Sequence, residues 1–133
     1  MREEQRATGI VPFAHGSSVE EANRGVHELA HQVQALGTYD YVRAAFLELA
    51  DPDLAEAVQE AVDDGLRRVV IIPHFLTMGI HLRRDLPSLI APLRKKYPQP
   101  AIDVGEFLEG HPLVTAIILE RVREVMEAVK FAT

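Results

Sequence analysis

Short continuous apolar runs alternate four times along the chain with longer segments whose apolar residues recur at helical spacing. The continuous runs, which predict strands, are residues 9–14, 41–49, 67–75 and 101–107. The amphipathic segments, which predict helices, are residues 19–36, 51–64, a third that begins near residue 85, and 112–130. Unbroken apolar strands separated by helices are typical of a parallel sheet covered on both faces. The pattern therefore predicts an α/β fold of four successive βα units.

Local signals mark the ends of the predicted helices. Ser17 and Ser18 each have a glutamate three residues further on, which is the capping-box pattern at a helix start. Asp51 followed by a proline predicts the start of the second helix. Pro92 lies inside the third helix, so this helix is either kinked or begins later than Asp85. Residues 76–84 are accordingly predicted to form a loop.

The composition narrows the class of protein. The chain has 133 residues, of which 47% are apolar, a formal charge of −6, and no cysteine. Lack of cysteine excludes disulfides, thiolate metal sites and a cysteine nucleophile. The acidic balance disfavours nucleic-acid binding, and no apolar run approaches the ~18 residues of a membrane-spanning helix. We expect one domain over residues 1–133, a flexible extension at residues 1–8, and a cytoplasmic protein that binds neither nucleic acid nor membrane.

Three ionisable residues occupy equivalent places in successive βα units. His15, Glu48 and His81 are 33 residues apart in each case, and each follows or ends a predicted strand. Ligands of open α/β sheets bind beyond the carboxyl ends of the strands, and neighbouring strands lie ~4.8 Å apart. Two imidazoles and a carboxylate suit a divalent metal such as Co, Ni, Fe or Zn, and also proton abstraction near neutral pH. Ordinary loop histidines are the alternative interpretation.

Two further motifs indicate other chemistries. Residues 27–31 read HELAH, which matches the HExxH pattern of zinc proteases. At about 100° per residue, His27 and His31 are both expected on the polar side of the first helix, which disfavours a zinc protease. Ser17 stands near His15 but in no G-x-S-x-G elbow, which disfavours a serine hydrolase. Ser17 and its neighbours can instead cap the helix or hold an anion on backbone N–H groups.

Four segments, in order along the chain, resemble the sirohydrochlorin chelatases of the CbiX/SirB type. These segments are residues 14–17 (AHGS), 45–48 (AFLE), 73–81 (PHFLTMGIH) with 85–87 (DLP), and 108–113 (LEGHPL). The third segment is similar to the family's P-x-F-L-x-x-G-x-H…D-[IL]-P signature. The resemblance extends from about Ile10 to Met126.

The resemblance implies a chelatase-like three-layer sandwich with a four-stranded parallel sheet in the order 2-1-3-4 and helices on both faces. It implies a lyase that inserts Co²⁺, with Ni²⁺ or Fe²⁺ as alternatives, into sirohydrochlorin on the way to cobalamin or siroheme, without an organic cofactor. His15 matches the family's proton acceptor and metal ligand, His81 its second metal-binding histidine, and Glu48 completes the candidate catalytic residues. Glu48 and one loop match positions that contact the tetrapyrrole. The loop residues are Leu76, Thr77, Met78, Gly79, Ile80 and His81.

The implied substrate is a polycarboxylate, so an acidic protein needs local cations to bind it. Arg83 and Arg84 are the best candidates, because guanidinium groups match carboxylates bidentately; a solvated first helical turn is the alternative for both. Ser17 is a further candidate contact. Because short forms of the family pair, we expect a homodimer. A metal or tetrapyrrole carrier of the same fold, without turnover, is the alternative function.

Overall fold

The described residues form short strands and longer helices in turn, with two short strands in succession before the second helix. The computed structural model describes residues 6–75 and 80–132, apart from the side chains at positions 80, 81, 131 and 132. The strands are β1 (Thr8–Ala14), β2 (Tyr41–Val42), β3 (Ala45–Phe46), β4 (Arg68–Pro73) and β5 (Ala101–Val104). The helices are α1 (Glu20–Gly37), α2 (Leu54–Asp63), α3 (Ile80–Lys96) and α4 (Pro112–Ala132). The predicted alternation of strands and helices is confirmed.

The strands form one parallel sheet in the order β2-β1-β4-β5, and β3 also pairs with β1. β2 and β3 lie along the same edge of β1, with Gly9 opposite Tyr41 and Ala14 opposite Phe46. They correspond to the single strand predicted in the run 41–49 with its end near Glu48; this strand is broken in the middle and ends at Phe46. With the two pieces counted as one, the sheet order is the predicted 2-1-3-4. The last strand likewise ends at Val104, three residues earlier than predicted.

The two faces of the sheet carry different helices. On one face, α2 and α3 bury Val11, Val69 and Ile71, each with no exposed surface. On the other face, α1 covers β1, β2 and β3, where Phe46 is completely buried. Helix α1 covers only part of this face. Helix α4 does not cover the rest, because its described side chains from residue 115 to residue 130 are all exposed.

Helix starts differ from the sequence prediction. α1 has Val19 as its N-cap, without a side-chain cap bond, so neither predicted serine capping box forms. The capping box occurs at α2 instead, where Asp53 and Glu56 bond each other's backbone N–H groups. The predicted start at Asp51 is wrong by two residues; the Asp51–Pro52 peptide bond is cis.

Helix α3 begins five residues earlier than the predicted start at Asp85 and contains two prolines, Pro87 and Pro92. A proline removes one backbone hydrogen bond and crowds the preceding turn. Leu86, Ile90 and Leu93 lie on one side of α3 and are buried against the sheet. Packing of this apolar face stabilises the helix through both prolines, which local sequence signals do not capture.

Strand β1 begins at Thr8, the last residue of the predicted N-terminal extension. Residues 1–5 lie outside the described residues, but Ala7 O accepts a hydrogen bond from Arg67 N at 2.8 Å. No helix in the described part of the chain is both long and apolar enough to span a membrane.

Candidate functional site

His15 and Glu48 lie on two loops that run side by side beyond the carboxyl ends of β1 and β3. Leu47 N donates to Ala14 O at 2.9 Å, and Glu48 N donates to His15 O at 3.0 Å. These bonds continue the parallel pairing past the last strand residues. They bring His15 Nε2 to within 3.4 Å of Glu48 Oε1. Two of the three equally spaced candidates therefore meet at this edge of the sheet.

Gly16 allows these two loops to approach each other. Its φ of +92° lies in the left-handed region, which favours glycine. A Cβ atom at this position would lie 1.8 Å from Glu48 O, which is backbone and cannot move aside as a flexible side chain would. Only glycine fits between the His15 and Glu48 backbones.

The side chain of Asn23 holds the loop that follows His15 through hydrogen bonds to its backbone. Asn23 was not among the candidate residues predicted from the sequence. Its side chain is the one buried polar side chain among the described residues, with 4% exposure. Asn23 Oδ1 accepts from Ser17 N at 2.9 Å, and Asn23 Nδ2 donates to Ser17 O at 2.7 Å. Ser17 Oγ in turn accepts from Val19 N at 3.0 Å. Ser17 is therefore part of a rigid turn into α1, and its hydroxyl already has a backbone partner.

The hydrogen bonds of His15 define what its ring can do. Nδ1 lies 3.2 Å from Gly16 O, and it donates to this carbonyl oxygen in the tautomer that carries the proton on Nδ1. In the neutral ring this leaves Nε2 with a free lone pair that faces the Glu48 carboxylate, which also only accepts. A proton or a metal cation between them would satisfy both groups. Two ligands at 2.0–2.1 Å from one tetrahedral metal ion lie about 3.3–3.4 Å apart, which matches this pair. Both side chains are more than half exposed, so a large substrate can reach them.

The third candidate, His81, belongs to the first turn of α3. Leu76, Thr77, Met78 and Gly79 lie outside the described residues, as do the side chains of Ile80 and His81. The predicted convergence of His81 with His15 stays a prediction. The backbone is consistent with it, because β4 pairs with β1 up to Pro73 opposite Phe13, and α3 is the next described element.

Arg83 links α3 to the loop between β5 and α4. Its guanidinium carbon lies 4.5 Å from the centroid of the Phe107 ring, and its Nη2 lies 3.9 Å from Glu109 Oε2. Arg84 Nε lies 3.9 Å from Asp85 Oδ1. Both arginine side chains are largely exposed. Each cation therefore has a carboxylate at the outer limit of ion-pair distance, which another carboxylate can replace.

The HExxH pattern on α1 forms no metal site. His27 is half-buried, with its ring 5.2 Å from that of Phe46 at an angle of 66°, whereas His31 is exposed. The prediction that both lie on the polar side is therefore wrong for His27, which packs against the core. Among the described side chains, no three His, Asp or Glu residues lie close enough to hold a metal ion.

An apolar pocket of about 190 Å³ lies beside the Glu48 loop, between α2 and α3. Phe46, Leu47 and Leu89 contribute to its lining. Pockets that enclose a drug-sized ligand typically measure roughly 300–1,000 Å³. A larger, flat ligand would not fit into this pocket.

Comparison with known proteins identifies one family. The CbiX family model matches residues 9–125. A sirohydrochlorin cobaltochelatase of Methanopyrus kandleri is 26% identical, and the match covers 88% of this chain and 96% of that protein. A chloroplastic sirohydrochlorin ferrochelatase of Arabidopsis thaliana is 31% identical over 93% of this chain, but this chain spans only 55% of that protein.

Solved structures share the fold. A CbiX protein of cobalamin biosynthesis from Marinobacter aquaeolei VT8 superposes with a TM-score of 0.80 at 29% identity, covering 91% of this chain and 98% of that one. The sirohydrochlorin chelatase SirB of Bacillus subtilis, solved in complex with cobalt, has a TM-score of 0.80 at 24% identity. The match covers 89% of this chain and 50% of SirB.

Proposed function

The chain belongs to the CbiX family, and on that premise we propose that it is a lyase that inserts a divalent metal into sirohydrochlorin. Co²⁺ is the proposed metal, with Ni²⁺ and Fe²⁺ as alternatives, because imidazole and carboxylate ligands suit all three. The metal is a substrate, and no organic cofactor takes part. The observation that carries the proposal is the His15–Glu48 pair, whose facing acceptor atoms lie 3.4 Å apart at the carboxyl edge of the sheet.

His15 and Glu48 have complementary roles in this proposal. Metal insertion must remove two pyrrole N–H protons while the metal enters the macrocycle. In the tautomer whose Nδ1 donates to Gly16 O, His15 Nε2 presents a lone pair, so it can hold the metal or accept a proton. Glu48 stabilises the positive charge that His15 gains in either case. His81 is the proposed second metal-binding histidine, supported by its place in the first turn of α3.

Arg83 and Arg84 are proposed to bind the carboxylates of the tetrapyrrole. Each has a carboxylate 3.9 Å away, Glu109 and Asp85 respectively, which a carboxylate of the substrate would displace. Guanidinium groups bind carboxylates with two parallel hydrogen bonds. The segment 76–81 and the turn at Ser17 complete the proposed tetrapyrrole contacts.

Two further properties are part of the proposal. The protein acts in the cytoplasm, as expected from its composition. It also works as a homodimer, which is supported by the lengths of its relatives, since this chain matches 50% of SirB and 55% of the chloroplastic ferrochelatase. Two copies of this chain would be at least as long as the chloroplastic relative.

The test is a turnover measurement. Sirohydrochlorin in large excess over protein is mixed with Co²⁺, Ni²⁺ or Fe²⁺, and insertion is followed by absorbance. We expect a rate proportional to protein concentration and many product molecules per chain. Insertion that stops at one product per chain would favour the carrier function, and a rate equal to the protein-free background with all three metals would refute the chelatase proposal.

A further inference from the structure

Helix α4 exposes a long apolar stripe. It has 21 residues, and eight of the exposed large apolar side chains in the described part of the chain lie on it. The centre of the stripe is Ile118, Val122, Val125 and Val129, which are between 51% and 61% exposed. Their spacing of four, three and four residues places them on one side of a helix. Glu120, Glu124 and Glu127 lie on the other side.

The sheet has a matching uncovered strip. Side chains on neighbouring strand positions point to opposite faces, and on β4 the two faces differ sharply. Val69 and Ile71, under α2 and α3, have no exposed surface, whereas Val70 and Ile72 on the face of α1 are only half-buried. We call the surface formed by Val70, Ile72 and the neighbouring Ala101 of β5 the β4–β5 strip. The ion pair between Arg68 and Asp103 lies on the same face and borders the strip. Parallel sheets normally have both faces covered by helices.

The connection before α4 directs the helix away from its own sheet. Phe107 and Glu109, in this connection, contact Arg83 of α3. His111 Nδ1 accepts from Leu113 N at 3.1 Å and caps the helix start. With this connection, the described side chains of α4 from residue 115 to residue 130 are exposed rather than packed on the sheet of the same chain.

We propose that α4 packs its apolar stripe on the β4–β5 strip of a second copy, which does the same in return. This proposal rests on the homodimer of the proposed function and specifies how it forms. The two complementary apolar surfaces occur in the same chain, which is the requirement for exchange of identical elements in a two-fold dimer. Six of the eight exposed apolar side chains of α4 lie on or beside the stripe. Burying these six, at on the order of 100 Å² each, supplies about 600 Å² of the roughly 800 Å² per partner of a standard interface, and the strip adds its own area.

The first test changes the stripe and measures the mass by light scattering. Val122→Glu with Val125→Glu places two carboxylates in the proposed interface, and we expect the mass to fall from two chains to one at micromolar concentration. Arg123→Glu, on the polar side of α4, is the control and should leave the mass at two chains. A double variant that stays dimeric, with a dimeric wild type, would refute the helix exchange but not the dimer. A monomeric wild type would refute both.

The second test uses the absence of cysteine from the chain. Val70→Cys and Val122→Cys are combined in one chain, joined by a short bis-maleimide, and run on a denaturing gel. Exchange predicts a covalent dimer that neither single variant forms. A cross-linked monomer would mean that α4 covers its own strip, and a covalent dimer of the Val122→Cys variant alone would mean that two α4 helices pair. No cross-link in a dimeric sample would likewise contradict the proposal.

Metal insertion is measured in the same samples to separate the two proposals. A wild-type protein with exchanged helices but no insertion activity would refute the chelatase function and leave the exchange intact. Turnover by a protein for which both tests above contradict the helix exchange would refute the exchange and leave the chelatase function intact.

Discussion

The carboxyl edge of the sheet has two halves that are held in different ways. In the half formed by β1 and β3, backbone hydrogen bonds tie the His15 loop to the Glu48 loop at 2.9 and 3.0 Å. In the half formed by β4 and β5, Arg83 is held by the Phe107 ring and, at 3.9 Å, by the Glu109 carboxylate. The first half depends on main-chain geometry, and the second on contacts between exposed side chains.

This difference separates chemistry from binding. Groups that react with protons or metal must be positioned in advance, because small displacements reduce catalysis strongly. The His15–Glu48 half meets this requirement, since Gly16 and Asn23 leave its backbone little freedom. A weak ion pair such as Arg83–Glu109 can instead exchange its carboxylate for one of the substrate at small cost. Substitutions in the two halves should therefore change different kinetic constants.

Removing the imidazole of His15, in the half formed by β1 and β3, should have the largest effect on the rate of metal insertion. We expect His15→Ala to lower kcat for metal insertion by about 100-fold or more, because it removes the proposed proton acceptor and metal ligand together. The side chain is 57% exposed, so the circular dichroism spectrum should stay native. His31→Ala, at an exposed position of α1, is the control. If His31→Ala were the inactive variant, the reacting group would lie on α1.

Separating the two loops should have the next largest effect. Gly16→Ala places a methyl group 1.8 Å from Glu48 O at a φ of +92°, and we expect it to lower the free energy of unfolding by about 1–3 kcal/mol and kcat at least tenfold. Gly110→Ala is the matched control, since its φ is +82° and nothing lies within 4 Å of the added Cβ. Equal losses in both variants would assign the effect to the backbone angle alone.

Substitutions in the half formed by β4 and β5 should affect substrate binding. Arg83→Gln keeps much of the length of the side chain but removes its charge, and we expect KM for sirohydrochlorin to rise about 3–10-fold with kcat within a factor of two. Glu109→Gln removes the competing carboxylate and should lower KM. Measuring both constants for both variants tests the division between chemistry and binding. A fall in kcat with unchanged KM in Arg83→Gln would contradict it.

The smallest expected effect is that of Tyr41 on stability. Tyr41 lies at the start of β2, away from the carboxyl edge of the sheet. Burial, with a further contribution from Glu60, raises the pKa of Tyr41 to about 12, and its hydroxyl donates to Ala57 O at 3.1 Å. An unfolded tyrosine has a pKa near 10, so the folded state holds this proton more tightly and its stability contribution is complete below about pH 10. We expect the free energy of unfolding to fall by ~2 kcal/mol between about pH 10 and 12, as this contribution of Tyr41 is lost.

Urea unfolding of wild type and Tyr41→Phe across this alkaline range isolates the contribution of Tyr41. The difference in stability between the two proteins should shrink or reverse as the pH rises. A difference that is constant with pH would show that Tyr41 ionises as easily in the folded chain as in the unfolded one.

Much of the fold was predictable because the alternation of apolar runs and helical stripes reports burial directly. The break between β2 and β3 was not, since Ala44 is completely buried without belonging to a strand. Burial and strand pairing are different properties, and only burial is visible in the pattern. The start of α3 was missed for a related reason: packing of Leu86, Ile90 and Leu93 outweighs two prolines.

The meeting of His15 and Glu48 followed from equal spacing and neighbouring strands. The role of Asn23 could not be deduced in the same way, because its partners are backbone atoms of Ser17 and depend on the path of the loop. One signal was present: Asn23 stands four residues after Val19 and three before Val26, inside the apolar stripe of α1. A polar residue at such a position has to find buried partners.

The position of bound Co²⁺ tests the central claim most directly. Crystals of the protein grown with Co²⁺, measured at the cobalt absorption edge, give the metal position from anomalous scattering alone. We expect a peak about 2.1 Å from His15 Nε2, with the Glu48 carboxylate at a similar distance. A peak beside His27 and His31, or any principal peak without contact to His15, would contradict the assignment of the reacting pair.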